Sequence, residues 1–421
     1  MYTPRDMEVL VAGAGPVGLF HALECSARGL ETRVFDEEWK TAARSYALAL
    51  HPRTLATLDR HRLVPLLAER GHRIDRVCYY DAAAPRATVE LGSLDRAHPY
   101  LLVVSQGDLE RTIEGRLKEG GGSVRWNHRL TRVSTQNTMP RVAVGRLAPT
   151  FRGGATQDAE WSIEDEIELH PHFVLAADGR ESFVRRSLEI PWDLVGTPQF
   201  FAVFEFRTSG EISPQVHVVI DDHGTSVLWP LPGGRARWSF AISRPNDLVR
   251  WEPKVRVAVP RLNRETLPDP DAEFSKLVAE RAPWFDQPVD GIDWFTVVRF
   301  DDGLAREFGR EHIWLAGDAA HHTGPIPVRG MNLALAEAES FCELVEAALT
   351  DHASVDDLAG WSGRRRNEWL AMADAPARVR AGARADAWVA RNAGRIVATL
   401  PATGRDLATL ADQIGIVGLD H

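Results

Sequence analysis

The chain has 421 residues, enough at about 100 to 200 residues per domain for two or three packed units with a large core. Its 44% hydrophobic and 26% charged residues are ordinary for a globular protein and exclude the disordered, collagen-like and coiled-coil classes. A net charge of -10, from 49 Lys plus Arg against 59 Asp plus Glu, excludes nucleic-acid binding that relies on bulk positive charge.

In chain order, Met7 to Ala12 (MEVLVA) is a short apolar run predicted as a strand, followed by glycines, a helical pattern over Leu19 to Arg28 closed by Gly29, and a second strand at Thr32 to Phe35. The apolar stretch Val9 to Phe20 is broken by Gly13, Gly15, Pro16 and Gly18 and carries no basic leader or cleavage site, so no signal peptide is expected. No uncharged stretch approaches the roughly 20 residues of a membrane span, and none is expected. Residues 40 to 75 read as helical, 76 to 104 as strands, and Leu109 to Glu119 as a helix ended by Gly120, Gly121 and Gly122. Successive short strands fill 123 to 177, ending in the continuous apolar run Phe173 to Ala177 that suits a buried sheet.

Residues 199 to 245 are the clearest antiparallel region, with FFAVFEF, QVHVVID, SVLWPL and RWSFAIS separated by turn residues. Residues 250 to 290 are mixed, Trp294 to Phe300 resumes a strand, and Ile313 to Ala316 is a last buried strand. It runs into a long Ala- and Glu-rich helix at Gly330 to Leu349, and the remainder is largely helical. Three widely spaced cysteines, Cys25, Cys78 and Cys342, give neither a disulfide framework nor a zinc site and fit a reducing cytoplasm. No metal site is expected.

The chemistry begins at Gly13-Ala14-Gly15-Pro16-Val17-Gly18, between a strand and a helix, with Asp36 ending the next strand. Gly13 permits the tight turn, Gly15 lets backbone approach a pyrophosphate at the helix N-terminus, Gly18 allows close helix packing, and Asp36 can accept from a ribose hydroxyl. The bland alternative is an ordinary glycine turn, which leaves Asp36 unexplained. Two later stretches add to it: FVLAADGR at 173 to 180 and IWLAGDAAHHTGPIPVRGMN at 313 to 332.

With these three motifs in order, residues 7 to 350 resemble the FAD-dependent aromatic hydroxylases of the p-hydroxybenzoate and salicylate hydroxylase type. The resemblance implies FAD as cofactor and NADH or NADPH as transient co-substrate. It implies that Gly317 and Asp318 hold the ribityl-pyrophosphate region and that Asp178 and Gly179 brace the flavin site. Gly330, Met331 and Asn332, opening the long helix, would offer backbone N–H groups to the flavin pyrimidine end, where a helix N-terminus stabilises negative charge on reduced flavin. Arg44 matches an arginine that reaches the FAD phosphates and Gln106 a glutamine near the ribityl chain; either alone is more often a solvated surface side chain, and with the three motifs in place cofactor contact is the expectation.

After the late Gly-Asp motif the family usually carries a Pro-Pro-x-Gly-Gly-Gln-Gly turn, where this chain has Gly324-Pro325-Ile326-Pro327-Val328-Arg329-Gly330. Pro325 keeps the proline beside the flavin ring, whereas Pro327 and Val328 replace small residues. Pro325 and Arg329 are the catalytic candidates, Arg329 as a cation for an anionic substrate group or a nucleotide phosphate, or simply as half of an ion pair in the loop. His321 is expected to be structural or flavin-proximal, and His51 a core or surface residue. His217, Trp229 and Trp238, in the antiparallel region, are candidates to line a flat apolar substrate pocket, with core packing the alternative.

The resulting expectation is an α/β fold: an FAD-binding Rossmann-like domain of the glutathione-reductase type, with an inserted, mostly antiparallel β substrate domain and C-terminal helices. The FAD-binding domain is expected at 1–75, 101–185 and 291–350, the substrate domain at 76–100 and 186–290, and the helical region at 351–421. The implied activity is that of a monooxygenase using NAD(P)H and O2 to form a flavin C4a-hydroperoxide and hydroxylate an aromatic or polycyclic small molecule, with natural-product tailoring as one setting. Epoxidation, Baeyer–Villiger oxidation, supply of reduced flavin by a separate reductase, homodimerisation and a non-catalytic flavin-containing ligand-binding role stay open. The W-x-W-x-I-P signature of flavin halogenases is absent from the sequence.

Overall fold

The computed structural model describes residues 7–40, 49–151, 159–211, 213–243, 269–324 and 326–419. The chain divides into two compact units, one of Met1–Arg70, Val104–Gly196 and Asp302–Ala373, the other of Gly71–Val103, Thr197–Asp301 and Asp374–His421.

The first unit is built on a six-stranded sheet in the order Gly309–Arg310, Ile313–Leu315, Phe173–Ala176, Val9–Ala12, Thr32–Phe35, Ser123–Arg125. All its pairings are parallel except that of the edge strand Gly309–Arg310. The central strands are continuous apolar runs because both faces are covered; every residue of Val9–Ala12 and Phe173–Ala176 is buried. The helix Pro16–Ala27 follows the central strand, with Pro16 in the first turn where a missing N–H costs nothing. It packs on the long helix Arg329–Leu349, and Cys25 Sγ lies 3.1 Å from Cys342 Sγ across that contact. Glu24, buried in the first helix, accepts from Arg28, Arg60 and His61. A three-stranded antiparallel sheet, His128–Gln136, Met139–Phe151 and Ala159–Leu169, completes this unit with the small sheet Trp192–Leu194, Gly303–Ala305, His321–His322.

The second unit carries a seven-stranded sheet ordered Gly291–Phe300, Gln199–Arg207, Arg235–Ile242, Gly224–Leu231, Gln215–Asp221, Arg76–Tyr80, Pro85–Glu90. Only Gln215–Asp221 with Arg76–Tyr80 is parallel. Phe204, Phe206, Trp238 and Phe240 from one face form a core with Phe274 and Leu277 of the helix Pro270–Arg281, which Arg281 ties to the sheet by a buried ion pair with Asp221.

The antiparallel region and the glycine-rich βαβ start fall where expected. The boundaries between units differ for reasons of pairing. Gly291–Phe300 hydrogen-bonds along Gln199–Arg207, which places it in the second unit rather than with 302–350. Residues 186–196 stay in the first unit because Trp192–Leu194 pairs with Gly303–Ala305. The C-terminal residues from Asp374 join the second unit: Thr399 Oγ1 donates to the Tyr79 hydroxyl at 3.2 Å and Arg96 pairs with Asp406. Among the described residues no helix is long and apolar enough to cross a membrane.

Candidate functional site

The glycine turn lies at the C-terminal end of the central strand of the first unit. Gly13 has φ +100°, and a Cβ there would run into the Ala177 carbonyl. A Cβ on Gly18 would run into the Gly13 carbonyl, so these two glycines are required by the protein itself. Gly15 differs. Its backbone is extended, φ -69° and ψ 176°, and among the described residues nothing beyond its chain neighbours lies within 4 Å of where its Cβ would be. It therefore presents backbone to open space at the N-terminus of a 12-residue helix, whose first N–H groups have no partners within the helix. Asp36 Oδ2 accepts from the Ala14 N–H at 2.6 Å and Oδ1 from the Glu38 N–H at 2.7 Å, so its carboxylate also fixes the turn.

The Asp178–Gly179 turn sits directly beside it, since the Cβ of an alanine at 13 would approach Asp178 Cα as well. Asp178 Oδ2 accepts from the Val184 N–H at 3.1 Å, whereas Oδ1 is buried with no hydrogen-bond partner among the described residues. Burial pushes its carboxyl pKa up, against hydrogen bonds from Ser182 and Val184 that favour the charged form. Arg185, buried, donates to the Ala319 carbonyl at 3.0 Å and the Arg180 carbonyl at 2.8 Å and stacks over Trp192. It thus couples the Asp178 turn to Gly317–Ala319. Gly317 has φ +59° and packs against Val17 of the first helix. The Asp318 side chain is half exposed, with His322 Nε2 4.0 Å from its Oδ2. His321 is fully buried, bonded through Nε2 to Glu337 Oε2 at 3.0 Å and stacked on Trp369, which makes it structural.

The turn that opens the long helix contains Val328 in the left-handed region, φ 66° and ψ 35°. That conformation costs a β-branched residue about 1–2 kcal/mol, which accounts for the glycine that the resembling family carries there. Arg329 is the first residue of the helix and is buried, with Gly330 and Met331 half-buried beside it. For Asn332 the expectation concerned the backbone N–H, and the side chain has a task of its own. Its Oδ1 accepts from the His51 N–H at 2.7 Å and its Nδ2 donates to the Ala49 and Val328 carbonyls at 2.8 and 2.7 Å, so the side chain is consumed by the protein and only its backbone is left for a cofactor. His51 is a core residue, as expected, with Nε2 2.9 Å from the Pro327 carbonyl; burial, and Arg329 nearby, bring its pKa down to about 3. It is therefore neutral and donates to Pro327. Gln106 opens a helix capped by Ser105 and gives its amide to Glu110 at 2.7 Å. Arg44 and Pro325 lie outside the described residues.

In the second unit, His217, Trp229 and Trp238 do not line one pocket. The register sets His217 opposite Leu228 and Leu228 opposite Trp238, on one face, while Trp229 stands opposite Arg237 on the other. Trp238 is fully buried and stacks on Phe240 in the core. His217 is also buried and stacks on Trp284; burial lowers its pKa to about 4, so it is neutral. The face bearing Trp229 holds instead a pair that the sequence reading missed. Arg237 Nε donates to Glu205 Oε1 at 2.8 Å, Arg237 is buried, and Trp294 lies under its guanidinium. A charge in the middle of each of two neighbouring apolar strands, Glu205 in FFAVFEF and Arg237 in RARWSF, was the available signal.

The fit to a dinucleotide is carried by the open face of Gly15, the Asp178 oxygen beside it that has no partner among the described residues, and the half-exposed Asp318 carboxylate. The family model described as an FAD binding domain matches residues 6–375. Para-nitrophenol 4-monooxygenase of Pseudomonas sp. (strain WBC-3) is 27% identical over 86% of this chain and 83% of its own length. A 6-methylpretetramide 4-monooxygenase of Streptomyces rimosus is 26% identical over 85% of this chain, which spans 59% of that longer relative. The crystal structure of p-nitrophenol 4-monooxygenase from Pseudomonas putida DLL-E4 shares the fold, with a TM-score of 0.70 at 22% identity over 97% of this chain and 94% of that one.

Proposed function

Because the chain belongs to the FAD binding domain family of FAD-dependent aromatic monooxygenases, we propose that it hydroxylates a phenolic ring, single or fused, with electrons taken directly from NADH or NADPH. The observation that carries the reading is the buried Asp178 Oδ1, without a partner among the described residues, beside a glycine turn whose middle glycine meets no described side chain or backbone beyond its neighbours. A buried carboxylate oxygen without a donor costs about 1–3 kcal/mol and asks for a ligand hydroxyl or amide.

Bound FAD supplies the electron transfer from nicotinamide and the activation of O2; the protein supplies position and field. Backbone N–H groups at the start of the helix Pro16–Ala27 hold the pyrophosphate, Asp36 a ribose hydroxyl, and Asp318 the ribityl side. The Arg329 cation and the first N–H groups of its helix favour negative charge at the pyrimidine end. Arg329 and Pro325 remain the residues assigned to the reacting centre. Within the second unit, the Arg237–Glu205 pair and Trp229 share one face of the sheet, a combination of cation and aromatic ring whose chemistry suits a phenolate. The relatives named for para-nitrophenol and for 6-methylpretetramide support that class. Three free, buried cysteines support a reducing, cytoplasmic setting.

The test is to purify the protein, reconstitute it with FAD, and follow NADH and NADPH oxidation with single-ring and fused phenols under labelled O2. A ligand-stimulated rate with one labelled oxygen in the product is expected. Failure to take up FAD, or nicotinamide oxidation that yields only hydrogen peroxide with every phenol, would overturn the proposal; reduction only when a flavin reductase is added would overturn the direct use of NAD(P)H.

A further inference from the structure

The turn at Pro327–Val328–Arg329 is held from behind. His51 Nε2 donates to the Pro327 carbonyl at 2.9 Å, and the His51 backbone N–H goes to Asn332 Oδ1 at 2.7 Å. Asn332 Nδ2 bonds the Val328 carbonyl at 2.7 Å, and Thr54 Oγ1 reaches the Asn332 carbonyl at 3.2 Å. The segment at 49–54 therefore clasps both sides of a residue, Val328, that stands in a backbone region which β-branched side chains avoid. Such a conformation persists only where surrounding contacts over-determine it. Two of these contacts come from one residue, and among the described residues the His51 ring bonds to the Pro327 carbonyl alone.

On the cofactor reading above, we propose that His51 is a positioning residue: through the Pro327 carbonyl it keeps Val328 left-handed and so fixes the aim of Arg329 and of the first N–H groups of its helix toward the flavin. The ring acts as a fixed donor. Its neutral state is secured by burial and by the neighbouring Arg329 cation, so the bond to Pro327 keeps one polarity across the working pH range. His51 touches no reacting atom. It governs whether the donors that favour reduced flavin point where negative charge accumulates, a requirement stricter for the reduced than for the oxidised cofactor.

The experiment compares the parent with His51→Leu and His51→Gln, each reconstituted with FAD, by dye-linked measurement of the flavin midpoint potential, by FAD titration of the apoprotein and by thermal unfolding. For His51→Leu, reduced flavin loses about tenfold in binding relative to oxidised flavin, the effect of one misdirected hydrogen bond to a charged group; for a two-electron couple this lowers the potential by about 30 mV. Oxidised FAD binding changes by less than about threefold, because the contacts around Gly15 are untouched. His51→Gln, which retains an N–H donor, restores the parent potential. Should His51→Leu fail to fold, Val328→Gly and the double variant Val328→Gly/His51→Leu decide, since glycine takes the left-handed conformation unaided and removal of His51 then leaves the potential nearly unchanged. A potential unaltered in His51→Leu, an equal shift in His51→Gln, or the full shift in the Val328→Gly background overturns the inference alone. A parent that takes up no FAD overturns the cofactor reading and this inference together.

Discussion

Replacing Gly15 by alanine separates what the glycine turn does for the protein from what it does for a cofactor. Gly15 has φ -69° and ψ 176°, open to any residue, and its Cβ would meet no atom of the described residues beyond its chain neighbours within 4 Å. The apoprotein should therefore keep its stability or gain about 0.4–1 kcal/mol from a stiffer unfolded chain. FAD is another matter. If the pyrophosphate lies against the Gly15 backbone, the added methyl occupies its space and forfeits at least one charge-assisted N–H···O bond, worth about 1.5–3 kcal/mol, or roughly 10- to 150-fold in affinity. Gly13→Ala and Gly18→Ala serve as contrasts, because each drives a methyl into a backbone carbonyl and should lower apoprotein stability itself. The assay is paired thermal unfolding of the apoproteins and FAD titration by flavin fluorescence. Gly15→Ala binding FAD as tightly as the parent would refute the placement of the pyrophosphate, and weaker binding with an equally destabilised apoprotein would refute the separation.

Three further outcomes are expected. Asp318→Ala should release FAD on desalting while the apoprotein melts as before, since that carboxylate is half exposed; a yellow protein with full flavin occupancy speaks against its role. For Glu24, burial alone would raise the pKa, but hydrogen bonds and charges from His61 and Arg28 outweigh it and lower it from 4.5 to about 2. A depressed folded-state pKa means stability present above pH 4.5 and lost as the pH falls toward 2, about 3 kcal/mol in all. Urea unfolding should therefore show the advantage of the parent over Glu24→Gln shrinking across that window, and a pH-independent gap would contradict it. Arg237→Met alone should cost about 3–5 kcal/mol by stranding Glu205, whereas Glu205→Leu/Arg237→Met should recover most of the stability and none of the turnover; an active double variant would make the pair purely structural.

What was legible in the sequence is what a single residue type dictates locally. Gly13 and Gly18 had to be glycine for steric reasons, and Val9–Ala12 and Phe173–Ala176 had to be buried strands because nothing polar interrupts them. The facing of the tryptophans was not legible, because it hangs on register. The turn after Leu231 sets Trp229 opposite Arg237 rather than Trp238, and a slip of one residue would exchange the faces. Nor could Asn332 be read as a clasp for residues 49 to 51, since its partners lie some 280 positions away and no spacing announces them. The strand expected at Trp294 to Phe300 begins at Gly291 and falls in the second unit, because it pairs along Gln199–Arg207, a partner its own sequence does not name.

The thiols give each unit a clock. Cys25 and Cys342 meet at 3.1 Å where the helix behind the glycine turn packs on the helix behind the Val328 turn, and Cys78 is buried in the sheet of the second unit beside Gln215. Closed, none of the three is reachable by an aqueous disulfide reagent, and burial holds the Cys342 and Cys78 thiols protonated and unreactive. Their labelling must wait for local opening, so its rate counts how often the two helices part. If a ligand bridges the ends of those helices, labelling at Cys25 and Cys342 slows in its presence while Cys78 keeps its own pace, and the breathing of the cofactor unit can be timed without any engineered probe.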